Sequence, residues 1–121
     1  MPKKVYIAGK ISGTKDYMGK FEAAERFLVA CNYVPINPAK VLSELPEKDM
    51  EHEDYMHICF AIIDICDAVW FMDGWKESKG ATQEFYYAAS KNKILLRIKE
   101  LETKIGNDEA EGRKTKIEDT Q

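Results

Sequence analysis

Between Gly74 and Glu84 the chain reads Gly-Trp-Lys-Glu-Ser-Lys-Gly-Ala-Thr-Gln-Glu, a polar loop that opens a helix and sets a carboxylate on its second turn. Ser78 can cap that helix and Gly80 leaves the amides near it unobstructed, so an anion there would meet aligned N–H donors and about half a positive charge. The plain alternatives are a cap without a ligand and a solvent-facing glutamate favoured by the helix dipole. Glu84 lies three residues after Ala81 and four before Ala88, however, on a side whose small residues suit close packing, and this predicts a partly buried acid.

A second turn, Gly9-Lys10-Ile11-Ser12-Gly13, follows the apolar run Val5–Ala8 and offers backbone amides for close approach to a phosphate or sugar. It is not a P-loop and lacks the full dinucleotide fingerprint, so an ordinary turn is its competing reading. Of the two tryptophans, Trp70 falls in a buried strand and Trp75 in the loop, where it can pack the loop or stack on a base.

These groups need a scaffold, and periodicity supplies one. Val5–Ala8 reads as a first strand. Met18, Phe21, Ala24, Phe27, Leu28 and Cys31 share a helical face, with Thr14 or Asp16 able to cap its start and Asn32 able to take a left-handed turn at its end. Val34-Pro35-Ile36 is a weak strand whose proline belongs at a sheet edge. Residues 39–53 read as an acidic loop with Pro46 as a breaker, long enough to act as a lid over a cleft. Tyr55, Ile58, Cys59, Ile62, Ile63 and Cys66 predict a second helix; strands then follow at Val69–Met72 and Ile94–Leu96, around a third helix over 79–91.

Alternating strands and helices argue for an α/β domain with a parallel sheet, most simply in the order 2-1-3-4. The reversal between the first and third strands places a ligand crevice beyond their carboxyl ends, between the turn 9–13 and the loop 73–79. With 121 residues and 45% apolar content, one domain over 1–98 is expected. Residues 99–121 are charge-rich, with Leu101, Ile105, Ala110 and Ile117 as their apolar members; they read as a disordered tail or a helical extension that docks on the body or on a neighbouring subunit.

A net charge of -3 argues against a nucleic-acid polymer partner, though not against a single nucleotide. The 3 cysteines, Cys31, Cys59 and Cys66, are odd in number and lie in apolar helical patterns, which points to reduced thiols and a cytoplasmic protein rather than a disulfide or metal site. The apolar stretch after Met1-Pro2-Lys3-Lys4 is too short for a signal peptide or a membrane span.

The pieces Tyr6-x-Ala8-Gly9, Asn37-Pro38, Cys66-Asp67 and Gly74-Trp75-x-x-Ser78-x-Gly80-Ala81-x-x-Glu84, spread over residues 5–96, together resemble the nucleoside 2-deoxyribosyltransferase-like superfamily, in particular its small branch of bacterial and phage proteins of unassigned function. The resemblance implies a flavodoxin-like three-layer sandwich with a four- or five-stranded parallel sheet. It also implies homo-oligomers in which one subunit completes its neighbour's pocket, and hydrolase or transferase chemistry at the N-glycosidic bond of a 2-deoxynucleoside or its 5'-monophosphate, with no cofactor or metal. By position, Glu84 matches the nucleophile and Tyr6 the tyrosine that hydrogen-bonds it. Ser78 and Gly80 match 5'-phosphate positions, beside the turn Gly9-Lys10-Ile11; Asn37 and Trp75 complete the substrate-binding candidates.

Many active relatives carry a second carboxylate on the second helix to protonate the leaving base; that position here is Cys59, a poor substitute. Asp73, from the third strand's end, is the preferred replacement, ahead of Asp54 and His57, while Asp64 is out of register. Two functions are therefore expected: an N-glycosidase or deoxyribosyltransferase, or a non-catalytic module that sequesters or senses a nucleotide.

Overall fold

A computed structural model describes residues 2–97 of the chain; the charged segment 99–121, expected as a disordered tail or a helical extension, lies outside the described residues. The strands β1 (Lys4–Ala8), β2 (Val34–Ile36), β3 (Ala68–Phe71) and β4 (Ile94–Leu96) alternate with the helices α1 (Tyr17–Ala30), α2 (Pro38–Leu42), α3 (His52–Asp64) and α4 (Lys79–Ser90). All strand pairs are parallel and the sheet order is β2-β1-β3-β4, the arrangement of a flavodoxin-like three-layer fold. Pro35 lies on β2, an edge strand, where its missing donor costs least.

Because a parallel sheet is covered on both faces, its central strands carry no polar alternation: Val5, Tyr6, Ile7 and Ala8 are all buried. The period of two sorts them into layers. Tyr6, Ala8, Val69, Phe71 and Leu95 pack with Cys59 and Ile63 of α3 and Ala81 and Ala88 of α4, whereas Val5, Ile7, Ala68 and Leu96 pack with Phe21, Ala24 and Leu28 of α1. Register places Tyr6 beside Val69 and Ala8 beside Phe71, so the tyrosine stands one same-face step before the carboxyl end of β1.

Local chemistry explains the helix boundaries. Asp16 caps α1 through a bond from the Gly19 amide at 3.2 Å; a Cβ at residue 19 would sit 2.5 Å from that carboxylate, so glycine is what admits the cap. Asn32 and Asn92 adopt left-handed backbone just after α1 and α4. The amides of Tyr33 and Lys93 then return to the carbonyls of Leu28 and Ala88, both at 3.0 Å, completing the same C-terminal motif twice. The Cys-Asp pair also has a structural use: Asp67 accepts from the Lys4 amide at 2.8 Å and its own amide donates to the Lys4 carbonyl, stapling the start of β3 to β1.

The structure corrects the expected acidic loop over 39–53. Asn37 caps α2 with Pro38 at its first turn, a 3-10 turn follows at Glu47–Asp49, and Glu51 and Asp54 form a reciprocal capping box that starts α3 at His52. Strand β3 occupies Ala68–Phe71, one residue earlier than the predicted Val69–Met72. Among the described residues, no helix is long and apolar enough to cross a membrane.

Candidate active site around Glu84

At its amino end α4 is capped by Ser78, whose Oγ accepts from the Ala81 amide at 3.0 Å while Thr82 Oγ1 donates to the Ser78 carbonyl at 2.8 Å. Alanines at 81 and 88 let the helix lie close on the sheet, and this carries Glu84, on the same side, under cover with only 6% of its surface exposed. The Tyr6 hydroxyl donates to Glu84 Oε2 at 2.5 Å, a bond between residues 78 apart in sequence. A third group reaches the pair from α3: the buried Cys59 thiol packs in the same cluster as Tyr6 and influences both Tyr6 and Glu84.

Electrostatics follow from that enclosure. Burial pushes the Glu84 carboxyl up to about 7, with the bond from Tyr6 and the neighbouring Cys59 thiol opposing the rise because they favour its charged form. The same burial, together with the neighbouring glutamate, raises Cys59 to about 12 and Tyr6 well above its ordinary value. Near neutral pH the cluster therefore holds one titrating group, the carboxyl, between two donors that keep their protons. A carboxylate so placed can stabilise an adjacent cationic centre or attack it.

The other predicted residues divide into those near this cluster's helix and those elsewhere. Gly80 follows the cap on α4; the His52 ring lies 3.8 Å from where its Cβ would be, and His52 Nε2 is 2.8 Å from Gln83 Oε1. His52, which sequence reasoning assigned to the loop, thus borders the start of α4. Gly9 abuts the end of β3: a Cβ there would come within 2.7 Å of the Met72 sulfur, a packing demand that by itself accounts for glycine. Lys10 is exposed, and Ile11 is half-buried against the α1 layer, its carbonyl closing a turn with the Thr14 amide at 3.1 Å. Asn37 is buried at the end of β2; its Oδ1 accepts from the Ala39 amide at 2.9 Å, and its Nδ2 has no partner among the described residues.

Two predicted residues stand apart. Asp73 is 82% exposed and pairs with Arg97 at 2.8 Å; the guanidinium also donates to the Phe71 carbonyl and lies over the ring of Trp70, which packs in the α1 layer. The structure does not bring Asp73 into the Tyr6–Cys59–Glu84 cluster, because its charge is drawn to a cation on the opposite face. Trp75 packs the loop, as one of its two expected roles had it, and is not open to stack on a base: it is 3% exposed, in a 3-10 turn, with its ring 4.9 Å from Phe71 and 5.2 Å from Phe85. Its indole nitrogen is buried without a partner among the described residues. Trp70, expected to be buried, is half-covered.

Of the weaker acid candidates, Asp54 belongs to the capping box, Asp64 accepts from the Tyr87 hydroxyl at 2.7 Å, and His57 is exposed on α3. Sequence reasoning underrated Cys59, whose signal was its place on the apolar stripe of α3. Arg97 carried no signal, since it follows the last strand without any periodic pattern.

Fold and site together define an α/β protein of flavodoxin-like architecture with a buried, hydrogen-bonded carboxylate on the helix after its third strand. The chain belongs to the family described as a domain of unknown function, DUF4406, which matches residues 3–97. No curated protein matches it.

Proposed function

We propose that the chain cleaves or transfers the N-glycosidic bond of a 2-deoxynucleoside or its 5'-monophosphate, with Glu84 as nucleophile. The observation that carries this reading is the buried Tyr6–Glu84 bond: a carboxyl removed from water, oriented by a neutral donor and titrating near 7. Breaking a glycosidic bond develops positive charge at the anomeric carbon, which such a carboxylate stabilises and then traps. One Glu84 oxygen bonds to that carbon as the carbon–nitrogen pair leaves with the base. Water or a second base then displaces the carboxylate.

The resemblance to nucleoside 2-deoxyribosyltransferase-like proteins supports the same assignment. Ser78 and Gly80, at the start of α4, are the phosphate candidates; about 9 Å of helix rise separates residue 78 from Glu84, a span that a pentose phosphate hydrogen-bonded at both ends can bridge. Asn37 offers its Nδ2, unpaired among the described residues, as a further donor. The reading needs no cofactor; a small-molecule nucleoside or nucleotide is the partner, and a second copy of the chain is expected to complete the pocket.

A non-catalytic nucleotide-binding module is the second reading, favoured by one observation: Cys59, beside Glu84, keeps its proton and offers no acid for the departing base. Incubation with a panel of deoxynucleosides and their monophosphates, followed by chromatography for free base, separates the two. Base release that disappears in Glu84→Ala supports the enzyme. Tight binding of ligand that stays intact supports the module and removes the glycosidase.

A further inference from the structure

A parallel sheet needs cover on both of its faces, and here the two faces are covered unequally. On one, α4 packs on β3 and β4; on the other, α1 packs on β1 and β2 and reaches β3 through the Phe27 ring, 5.6 Å from that of Trp70. The outer half of this second face carries apolar side chains left partly open, with Phe27 52% exposed and Trp70 and Ile94 half-buried. The chain turns onto that same half as it leaves the sheet. Leu96 packs in the α1 layer, so strand alternation would send residue 97 to the α4 side. Arg97 instead takes left-handed backbone, with φ of 56°, and lays its guanidinium 5.0 Å over the Trp70 ring.

Beyond Arg97 the sequence reads Ile98-Lys99-Glu100-Leu101-Glu102-Thr103-Lys104-Ile105-Gly106. Ile98, Leu101 and Ile105 recur at the spacing of one helical face, Glu100 and Lys104 pair four apart away from it, and Gly106 is a helix stop. We infer that residues 98–105 dock as a helix on the α1 side of β3 and β4 in their own chain, and so complete the third layer of the sandwich. The lengths agree: eight helical residues rise about 12 Å, and a strand of four residues spans about 13 Å. So short a helix does not hold its shape alone in water, which makes the apolar face a condition of its folding. Trp70 pairs with Leu96 toward the carboxyl end of the sheet and Ile94 lies toward the amino end. A helix running back along the strands, as α1 and α4 do, therefore brings Leu101 over Trp70 and Ile105 toward Ile94 and Phe27. Attachment directly beside the face favours this segment over a second copy, because a short tether holds it at a roughly millimolar effective concentration. Once docked it backs Arg97, whose bonds to Asp73 and to the Phe71 carbonyl secure the start of the loop leading to α4. The inference is independent of the reaction proposed for Glu84.

Trp70 reports on this face, and Trp75→Phe in the full chain leaves it as the one tryptophan. In that background Leu101→Asp together with Ile105→Asp should raise acrylamide quenching of Trp70 at least about twofold and shift its emission to the red, since an aromatic ring loses its apolar cover. Thr103→Asp, which adds charge away from the stripe, should change neither. Unmoved quenching in the double variant, or an equal rise in Thr103→Asp, would overturn the inference. The converse background, Trp70→Phe, keeps Trp75, buried in the α4 layer, and its quenching should not respond to the double substitution. A parallel rise there would mean general loss of the fold rather than the uncovering of one face, and would overturn the docking as well. Shielding of Trp70 that vanishes when the Trp75→Phe chain is diluted to nanomolar concentration would assign the face to a second copy, again against the inference.

Discussion

Glu84 and Asp73 flank the same loop, yet they show two ways in which a protein can house a carboxylate. Asp73 faces water, meets a guanidinium at 2.8 Å and lies on the α1 side of the sheet, where attraction is screened and any energetic gain is small. Glu84 lies under α4, has no cation beside it among the described residues, and is held by a phenol, with a thiol as its neighbour. Full ion pairing would lower the reactivity of a carboxylate, whereas burial with neutral donors leaves its charge available for an incoming cationic centre. Position relative to the sheet, rather than residue type, separates the reactive acid from the quiet one.

The contrast breaks first on chemistry. Glu84→Gln is expected to reduce base release by about a thousandfold or more, whereas Asp73→Asn should leave it within about twofold, measured by single-turnover chromatography. Comparable losses in the two variants would place the chemistry at Asp73 as well. Tyr6→Phe removes the donor that favours the charged form of Glu84, so the ascending limb of the pH–rate profile, centred near 7 in the parent, should move to higher pH and release at neutral pH should fall roughly tenfold. An unmoved limb would mean that another group sets it.

Stability sharpens the comparison further. A carboxyl raised from its ordinary 4.5 to about 7 on folding binds its proton more tightly in the folded state, so its contribution is most favourable below about 4.5 and is lost as pH climbs through about 7. The difference is roughly 3 kcal/mol at most, and Glu84→Gln should abolish that slope in denaturant titrations between pH 4 and 8. Asp73→Ala should cost less than about 1 kcal/mol at any pH in that range. Ser78→Ala should destabilise by about 1 kcal/mol through loss of the cap, and should weaken binding of a monophosphate more than that of the matching nucleoside in titration calorimetry. Equal weakening of the two would remove the phosphate assignment at the start of α4.

How much of this was legible beforehand follows the range of the interactions. The cap at Ser78, the left-handed Asn32, the edge position of Pro35 and the small residues around Glu84 act within a few residues of themselves, and each was visible as a pattern. The short helix over Pro38–Leu42 was missed because five residues are too few for a period; its signal was the Asn-Pro cap alone. Trp75 was placed in a loop because its polar neighbours hid the aromatic partners Phe71 and Phe85 that close over it. Asp73 looked available because Arg97, beyond the last strand, has no sequence relation to it.

The chain by itself determined the alternation of strand and helix, the order of the sheet and the side of α4 that Glu84 occupies, since these follow from hydrophobic period, turn chemistry and crossover geometry. Only the tertiary structure decided which groups surround that carboxylate. Tyr6, Cys59 and Glu84 come from three separate elements, and they meet because β1, α3 and α4 converge on one layer. Burial, which sets the charge of the acid, is a property of that convergence and of no single segment.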